Sequence, residues 1–355
     1  MEEIISKNIP HPDYQHLLVK ISDTYQSGQV KATQAVNIQL LETYWQIGRI
    51  PIAIGIEFEQ GGNARAEYGK ALISTLAKDL SLLHGKGFSA SNVKRFRQFY
   101  LAYPIGATLS HQLSWSHLVE FLKIDDPLER SFYEKQTQLE NWNIRELVRQ
   151  KNTALFQRLA LSKNKEEILK LATQGQEIIT AKDILKDPYV FEFLKIPEEQ
   201  LPTEQELENH LCSNLRQFLL ELGKGFTYVG RQYRMTINNK HYRIDLVFYH
   251  RILRCFVLID LKINDVQHDD IGQMNLYLGY FANEENAEGD NPPIGIILTK
   301  NKDELLVEYA TYGMNSQLFV SQYQLYLPDK NDLIKLITDT LQSEKETNEI
   351  GRAHV

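Results

Sequence analysis

Two periods run along the chain. From about Pro12 to Lys186, apolar residues recur at three- and four-residue spacing, the pattern of helices that bury one face. The spacing predicts a helix over "VNIQLLETYWQIGRIPIAIG", limited or kinked at Pro51, and a second over "NARAEYGKALISTLAKDLSLLHGKGFS", ended by Gly85 and Gly87. A third covers "SASNVKRFRQFYLAYP", with Ser89 or Ser91 as its N-cap and Pro104 at its end. Three more fall at "SWSHLVEFLKI", "DPLERSFYEKQTQLENW" and "NIRELVRQKNTALFQRLA". The polar stretch "LSKNKEEILKLATQGQEIITAKDILKDP" then leads through "KIPEEQLPTEQE", where Pro197 and Pro202 mark the expected domain boundary.

Beyond a helix at "EQELENHLCSNLRQFLLELG", closed by Gly223, the period changes. Strand-like runs follow at "FTYVGRQYRMTI", "YRIDLVFYH" and "RCFVLIDLKI". Asn238-Asn239 is a turn signal between the first two, and a loop over residues 250–253 joins the second pair. A helix at "DDIGQMNLYLGYFANEE", a buried strand at "PIGIILTK", a helix at "KDELLVEYAT" and a short strand around "QLFVSQYQ" complete the order. The class is α+β or mixed: a mostly helical domain over residues 1–190, then an α/β domain with a central mixed sheet over 191–345. The Gly-Lys pairs in "LLHGKGFS" and "ELGKGFT" lack the phosphate-loop pattern and read as helix C-caps. The last segment, "EIGRAHV" (349–355), fits no element and is expected to be non-native.

Composition adds bounds. With 355 residues, 43% hydrophobic and 24% charged, the chain reads as an ordinary soluble protein of two domains. No apolar run approaches the roughly 20 residues of a membrane span, and "MEEIISKNIPHPDY" is not a signal peptide. Cys212 and Cys255 sit in apolar contexts and are expected to be buried and reduced, which suggests the cytoplasm. The ten histidines show no zinc-type spacing with them. A net charge of −7 argues against nucleic acid, but the distribution does not. Between Asn63 and Tyr100, seven Lys/Arg (Arg65, Lys70, Lys78, Lys86, Lys94, Arg95, Arg97) face two acids, Glu67 and Asp79.

The chemistry lies in "YRIDLVFYHRILRCFVLIDLKI", where two apolar runs each carry an aspartate and the second adds a lysine. Ionised groups inside a sheet cost several kcal/mol unless paired. With the turn at 250–253, Asp245 lies opposite residue 258, and Asp260 and Lys262 share its face, Asp260 being diagonal to it. Two carboxylates that close repel unless a cation lies between them. Hard oxygen ligands suit Mg²⁺ or Mn²⁺, and a neighbouring lysine holds or deprotonates a water, or neutralises a phosphate oxygen. That set suits metal-assisted phosphodiester hydrolysis. The plainer alternative is a strand-edge acid and a sheet-end ion pair.

With "LLELGKGFTYVGRQYRMTINNKHYRIDLVFYHRILRCFVLIDLK", "GQMNLYLGYF" and "DNPPIGIILTK", the second half resembles the YhcG-type family of PD-(D/E)XK (restriction-endonuclease-like) nucleases. The first half resembles that family's helical, winged-helix-like N-terminal domain through "YWQIGRIP", "AEYGKALISTLAKDL", "GKGFSASNVKRFRQFYLAYP", "QLSWSHL", "ERSFYEK" and "NWNIRELVRQ". The resemblance implies that Asp245 and Asp260 are metal ligands and Lys262 the catalytic lysine. Gln273 and Tyr277 then form a Q-x-x-x-Y motif. The superfamily often adds a carboxylate from the first core helix, for which Glu208 is the choice and Glu206 the alternative. The second acid is Asp260 where many relatives have Glu; the motif allows either, but the shorter reach alters metal placement. The DNA-binding function implied for the helical domain falls on Lys94, Arg95 and Arg97, extended by Arg49, Lys70 and Lys86. Phe96, Phe99 and Tyr100 read as core, and Arg231, Arg234 and Arg243 flank the proposed site.

The leading expectation is a Mg²⁺-dependent DNA endonuclease whose helical domain selects DNA. A slow or silent nucleic-acid binding or assembly module is the second, and an RNA nuclease the third. A homodimer stays open.

Overall fold

The computed structural model describes residues 12–53, 62–103, 113–161, 163–197 and 202–335, so Pro104 and the tail 349–355 lie outside the described residues. The chain forms two compact units, Met1–Arg130 and Ser131–Val355.

In the first unit, α1 (Pro12–Ala53) continues past Pro51. It is followed by α2 (Gly62–His84), α3 (Ala90–Ala102) and α4 (Trp115–Phe121). Ser89 caps α3, its Oγ accepting the Asn92 N–H at 3.3 Å. Helices α1 and α3 cross with their backbones in contact, because a Cβ on Gly48 would stand 2.0 Å from the Phe96 carbonyl oxygen. Around that crossing Tyr44 stacks on Phe96 at 4.6 Å, and Trp115 packs against Phe96 and Phe99 at 5.2 and 5.6 Å. Phe96 and Phe99 are buried core residues as expected, whereas Tyr100 is only half-buried and leans on Trp45. Among the described residues this unit contains helices and no strand.

The second unit begins within α5 (Pro127–Glu140). The next predicted helix divides into α6 (Ile144–Asn152) and α7 (Leu155–Ala160), because Ala154 between them is left-handed at φ 51°. After α8 (Lys165–Gln174) comes a two-residue strand, β1 (Tyr189–Val190). The following helix also divides, into α9 (Glu204–Ser213) and α10 (Leu215–Leu222). Gly223 follows at φ 108°; like Gly85 at φ 88°, it is a helix C-cap, as read from the sequence. Then come β2 (Phe226–Ile237), β3 (Lys240–His250), β4 (Cys255–Lys262), α11 (His268–Tyr280), β5 (Ile294–Thr299), α12 (Glu304–Thr311) and β6 (Gln317–Gln324).

The strands form one mixed sheet in the order β1-β6-β5-β4-β3-β2, parallel from β1 to β4 and antiparallel from β4 to β2. Residues alternate between two cores. Val257, Ile259 and Leu261 pack toward Leu207, Leu211 and Phe218 of the α9–α10 layer. Leu258 and Ile297 pack toward Ile271, Met274 and Leu278 of α11. Burial on both faces explains why β4 and β5 read as unbroken apolar runs. Residues 131–190 join this unit through a buried carboxylate on α10. Glu221 accepts from Arg158 at 2.6 Å, from Arg149 at 3.1 Å and from the Val190 N–H at 3.0 Å. Both cysteines are free; Cys255 is buried, and Cys212 is half-buried, packed on α9 against the edge of the same core.

Candidate active site

The β3–β4 ladder runs from His250↔Cys255 to Leu246↔Ile259. The turn therefore occupies residues 251–254, closed by Arg254 in the left-handed region at φ 52°. This corrects the expected register: the residue facing Asp245 is Asp260, not residue 258 two places earlier. The two aspartates are the first residues beyond the last ladder pair, where the strands begin to part. Leu261 donates its N–H to Asp245 Oδ2 at 2.8 Å, so a side chain takes the place of a ladder acceptor. Along β4 the period of two sets Asp260 and Lys262 on the α11 face. There Lys262 Nζ lies 3.0 Å from Asp260 Oδ2 and 3.3 Å from Asp270 Oδ1 on α11.

A third carboxylate arrives from α9. Glu208 is 2% exposed, and Gln232 on β2 donates from its amide to Glu208 Oε2 at 2.6 Å and to Asp245 Oδ1 at 3.0 Å. Glu208 Oε1 is buried without a hydrogen-bond partner. Glu206, the alternative, caps α9 instead: its Oε2 accepts from the Thr203 N–H at 2.8 Å and hydroxyl at 3.0 Å. On α11, Tyr277 is buried and donates its hydroxyl to the Arg243 carbonyl at 3.1 Å, while exposed Gln273 hydrogen-bonds the Tyr277 side chain.

The electrostatics follow from burial and crowding. Burial, then the charge of Asp245, pushes Asp260 up to about 7, with Lys262 opposing. Asp245 is also raised, by burial and by Glu208, against the Leu261 N–H and Lys262. Burial alone lowers Lys262, but Asp260 and Asp270 outweigh it and keep the ammonium charged. Lys262 is thus a cation rather than a proton acceptor in this arrangement. Tyr277 is pushed up to about 12 by burial and by the two aspartates, so it stays a donor.

Among the described residues, no three His, Cys, Asp or Glu side chains close on one point as a finished metal cage. The donor set still fits a hard divalent ion. It is all oxygen, it carries two mutually repelling aspartates, and it includes the orphaned Glu208 Oε1, a buried acceptor with nothing to accept.

The basic residues divide between the units. Arg231, Arg234 and Arg243 are exposed on the β2–β3 hairpin. Arg234 and Arg243 are direct cross-strand partners. Arg231 donates to Asn209 at 2.9 Å, and Arg234 meets the His241 ring at 2.9 Å. In the first unit Lys94 and Arg49 are exposed, while Arg95 is half-buried and donates to Asn92 Oδ1 at 3.1 Å. Arg97 is half-buried, and its Nε has no partner. The side chains of Lys70 and Lys86 lie outside the described residues.

Sequence reasoning missed Gln232 and Asp270. Gln232 sits in "GRQYR", where polar residues interrupt the alternation of β2, and Asp270 looks like an ordinary first-turn acid of α11.

The mixed sheet, with Asp245, Asp260 and Lys262 at the end of its β3–β4 ladder, lies within a PD-(D/E)XK nuclease domain. The chain belongs to the YhcG family: residues 182–340 match the YhcG PDDEXK nuclease domain, and residues 20–158 match the DUF1016 N-terminal domain. "Putative nuclease YhcG" of Escherichia coli (strain K12) is 35% identical over 352 residues, covering 90% of this chain and 92% of that protein. Two solved structures show a distant likeness. A repair endonuclease from Pyrococcus abyssi is 18% identical, over 37% of this chain and 50% of its own, with a TM-score of 0.25. EndoMS in a complex with double-stranded DNA is 16% identical, over 38% and 50%, with the same TM-score of 0.25. The chain thus matches half the length of each, and that TM-score is too low to bear on function. No helix among the described residues is long and apolar enough to cross a membrane.

Proposed function

We propose that the protein is a Mg²⁺- or Mn²⁺-dependent DNA endonuclease of the reducing cytoplasm, and that its helical domain, within residues 1–190, selects DNA. The observation that carries this reading is the pair Asp245–Asp260 at the opening of the β3–β4 ladder, with Lys262 salt-bridged to Asp260 at 3.0 Å. A divalent ion bound here would supply positive charge beside the phosphate and a more acidic water. Asp245 and Asp260 hold that ion, with Glu208 beside them. Lys262, held as a cation, binds a non-bridging phosphate oxygen or the attacking water and supports negative charge as it develops. The Tyr277 hydroxyl fixes the β3 backbone at Arg243, and Gln273 orients that hydroxyl.

The reading of a nucleic-acid substrate rests on the basic groups, and the cleavage panel below separates DNA from RNA. Arg234 and Arg243 stand directly opposite each other, an arrangement that costs stability until an anion lies over the pair. A phosphate backbone meets that need and would lie along the hairpin that carries Asp245. In the first unit, Lys94, Arg95 and Arg97 on α3 offer a second row for phosphates. The test is cleavage of linear, single-stranded and branched DNA and of RNA with Mg²⁺ or Mn²⁺, for wild type beside Asp260→Ala and Lys262→Ala. Metal-dependent DNA cutting lost in both variants supports the reading. Binding without cutting makes the protein a nucleic-acid binding module, and preferential cutting of RNA moves the substrate class.

A further inference from the structure

We infer that Gln232 is a positioning residue: its side-chain amide holds Glu208 and Asp245 together as a pair of oxygen donors for the divalent ion. The inference rests on the nuclease reading above and adds to it a residue outside the acidic and lysine positions.

The backbone supplies the first observation. Gln232 adopts φ 48°, a left-handed conformation that side-chain-bearing residues avoid, within strand β2. The β2–β3 pairing skips this position. Arg231↔Leu246 and Tyr233↔Ile244 are paired on either side, and Gln232 and Asp245 are the two residues left between them. A strained residue inside a strand persists only where something else holds it. Here the holding contacts are both to acids, at 2.6 Å to Glu208 and 3.0 Å to Asp245.

The choice of side chain is the second. A lysine or arginine in this place would also bridge two carboxylates, but its charge would oppose an incoming cation. A carboxylate would repel both neighbours. A neutral amide gives each acid one N–H and leaves their negative charge in place. It also uses only Oε2 of Glu208, and Oε1 stays buried and unpartnered. Among the described residues nothing donates to that orphaned oxygen; an ion would give it a partner.

The experiment compares full-length wild type, Gln232→Gly and Gln232→Ala by calorimetric titration with Mn²⁺, thermal unfolding and DNA cleavage. Glycine accepts φ 48° freely and alanine does not, so the glycine variant melts above the alanine variant. If Gln232 positions the acids, both variants lose Mn²⁺ affinity at least tenfold, and glycine recovers none of it. A role confined to the backbone predicts the opposite, with wild-type affinity returning in the glycine variant; that result overturns the inference. Cleavage lost at unchanged Mn²⁺ affinity overturns it as well. Wild type that binds no Mn²⁺ and cuts nothing sinks the nuclease reading and this inference together, whereas active wild type with unaffected variants sinks this inference alone. Should the alanine variant fail to fold, the glycine variant decides the question.

Discussion

The backbone N–H of Leu261 is bound by the side chain of Asp245, 2.8 Å away on the neighbouring strand. One carboxylate oxygen thus repairs the ladder where β3 and β4 separate, and the other faces Gln232. Asp245 therefore has a structural duty in the sheet, whereas Asp260 accepts no backbone N–H among the described residues and bears the cost of its own buried charge. In metal-free protein the folded state holds Asp260 near 7, above the ordinary carboxylate value. The folded state therefore binds more protons than the unfolded chain across that interval. This contribution to stability is complete below the ordinary carboxylate range and is lost as pH rises through about 7. Thermal unfolding in chelator from about pH 5 to about pH 8 should show Tm falling with pH in wild type and a flatter profile in Asp260→Asn. Asp245→Ala should instead cost about 1–3 kcal/mol at acid pH for the stranded Leu261 N–H, a loss that shrinks as pH rises because the repulsion on Asp260 is removed with it. An unchanged pH profile in Asp260→Asn would contradict the assigned crowding.

Lys262 lies between two acids, Asp260 at 3.0 Å and Asp270 at 3.3 Å. Replacing it with alanine removes the cation nearest the proposed phosphate position and leaves Asp260 without its partner. Single-turnover cleavage should drop by about 10²–10³-fold, the loss typical of one preorganised electrostatic contact. Lys262→Arg should not restore it, since a planar fork does not reproduce a compact ammonium in a half-buried niche. Rates within about threefold of wild type in either variant would remove Lys262 from the chemistry.

The sequence disclosed the site's members more readily than their meeting. Alternation places Asp260 and Lys262 on one face, and the helix pattern together with the family resemblance points to Glu208. Register was harder. Whether Asp245 faces residue 258 or residue 260 depends on Arg254 taking φ 52°, and no local propensity makes an arginine do so. Gln232 was invisible for a similar reason, because its contacts come from a skipped pairing on one side and a helix far along the chain on the other. The two split helices carry the same lesson. Their apolar period runs on across Ala154 and Asn214, and tertiary packing decides where the backbone breaks.

Gly48 permits a close backbone approach between α1 and α3, and an added methyl would meet the Phe96 carbonyl at 2.0 Å. Neither helix can yield without disturbing the stack of Tyr44 on Phe96. Gly48→Ala should destabilise this unit by about 1–3 kcal/mol despite alanine's better helix propensity. Gly28, with open space around it, is the control, and Gly28→Ala should be neutral or slightly stabilising. Circular-dichroism melts of the two variants read the contrast; equal melts would mean that α1 and α3 separate easily.

Glu221 and Arg158 are both fully buried and paired at 2.6 Å. Burial works against the Glu221 charge, but Arg158, Lys186 and Arg149 outweigh it and bring the carboxyl down to about 2. With a folded pKa below the ordinary value, its stabilising contribution is present above that value and lost as pH falls toward about 2. Arg158→Met removes one partner and leaves a buried charge undercompensated, a change that costs about 3–5 kcal/mol. Urea titration at neutral pH measures it, and a loss below about 1 kcal/mol would show that Arg149 and Lys186 suffice.

Arg234 and Arg243 give a prediction in which stability and binding move in opposite directions. As cross-strand partners their like charges repel, so Arg234→Ala should raise the stability of the free protein by up to about 0.5–1 kcal/mol, most clearly at low salt. Set against this is the Arg234 contact with His241 at 2.9 Å, which the substitution also removes and which trims the gain. If the pair holds phosphate, the same substitution weakens DNA binding and reduces the slope of log affinity against log salt by about one. Arg243→Ala should do the same, and the double variant should lose about two units of slope if the contacts act independently. Fluorescence anisotropy at several salt concentrations, run with chelator to prevent cutting, reads the slope directly. A slope unchanged in the double variant would move the DNA path off the β2–β3 hairpin and leave the repulsion between the two arginines without a purpose.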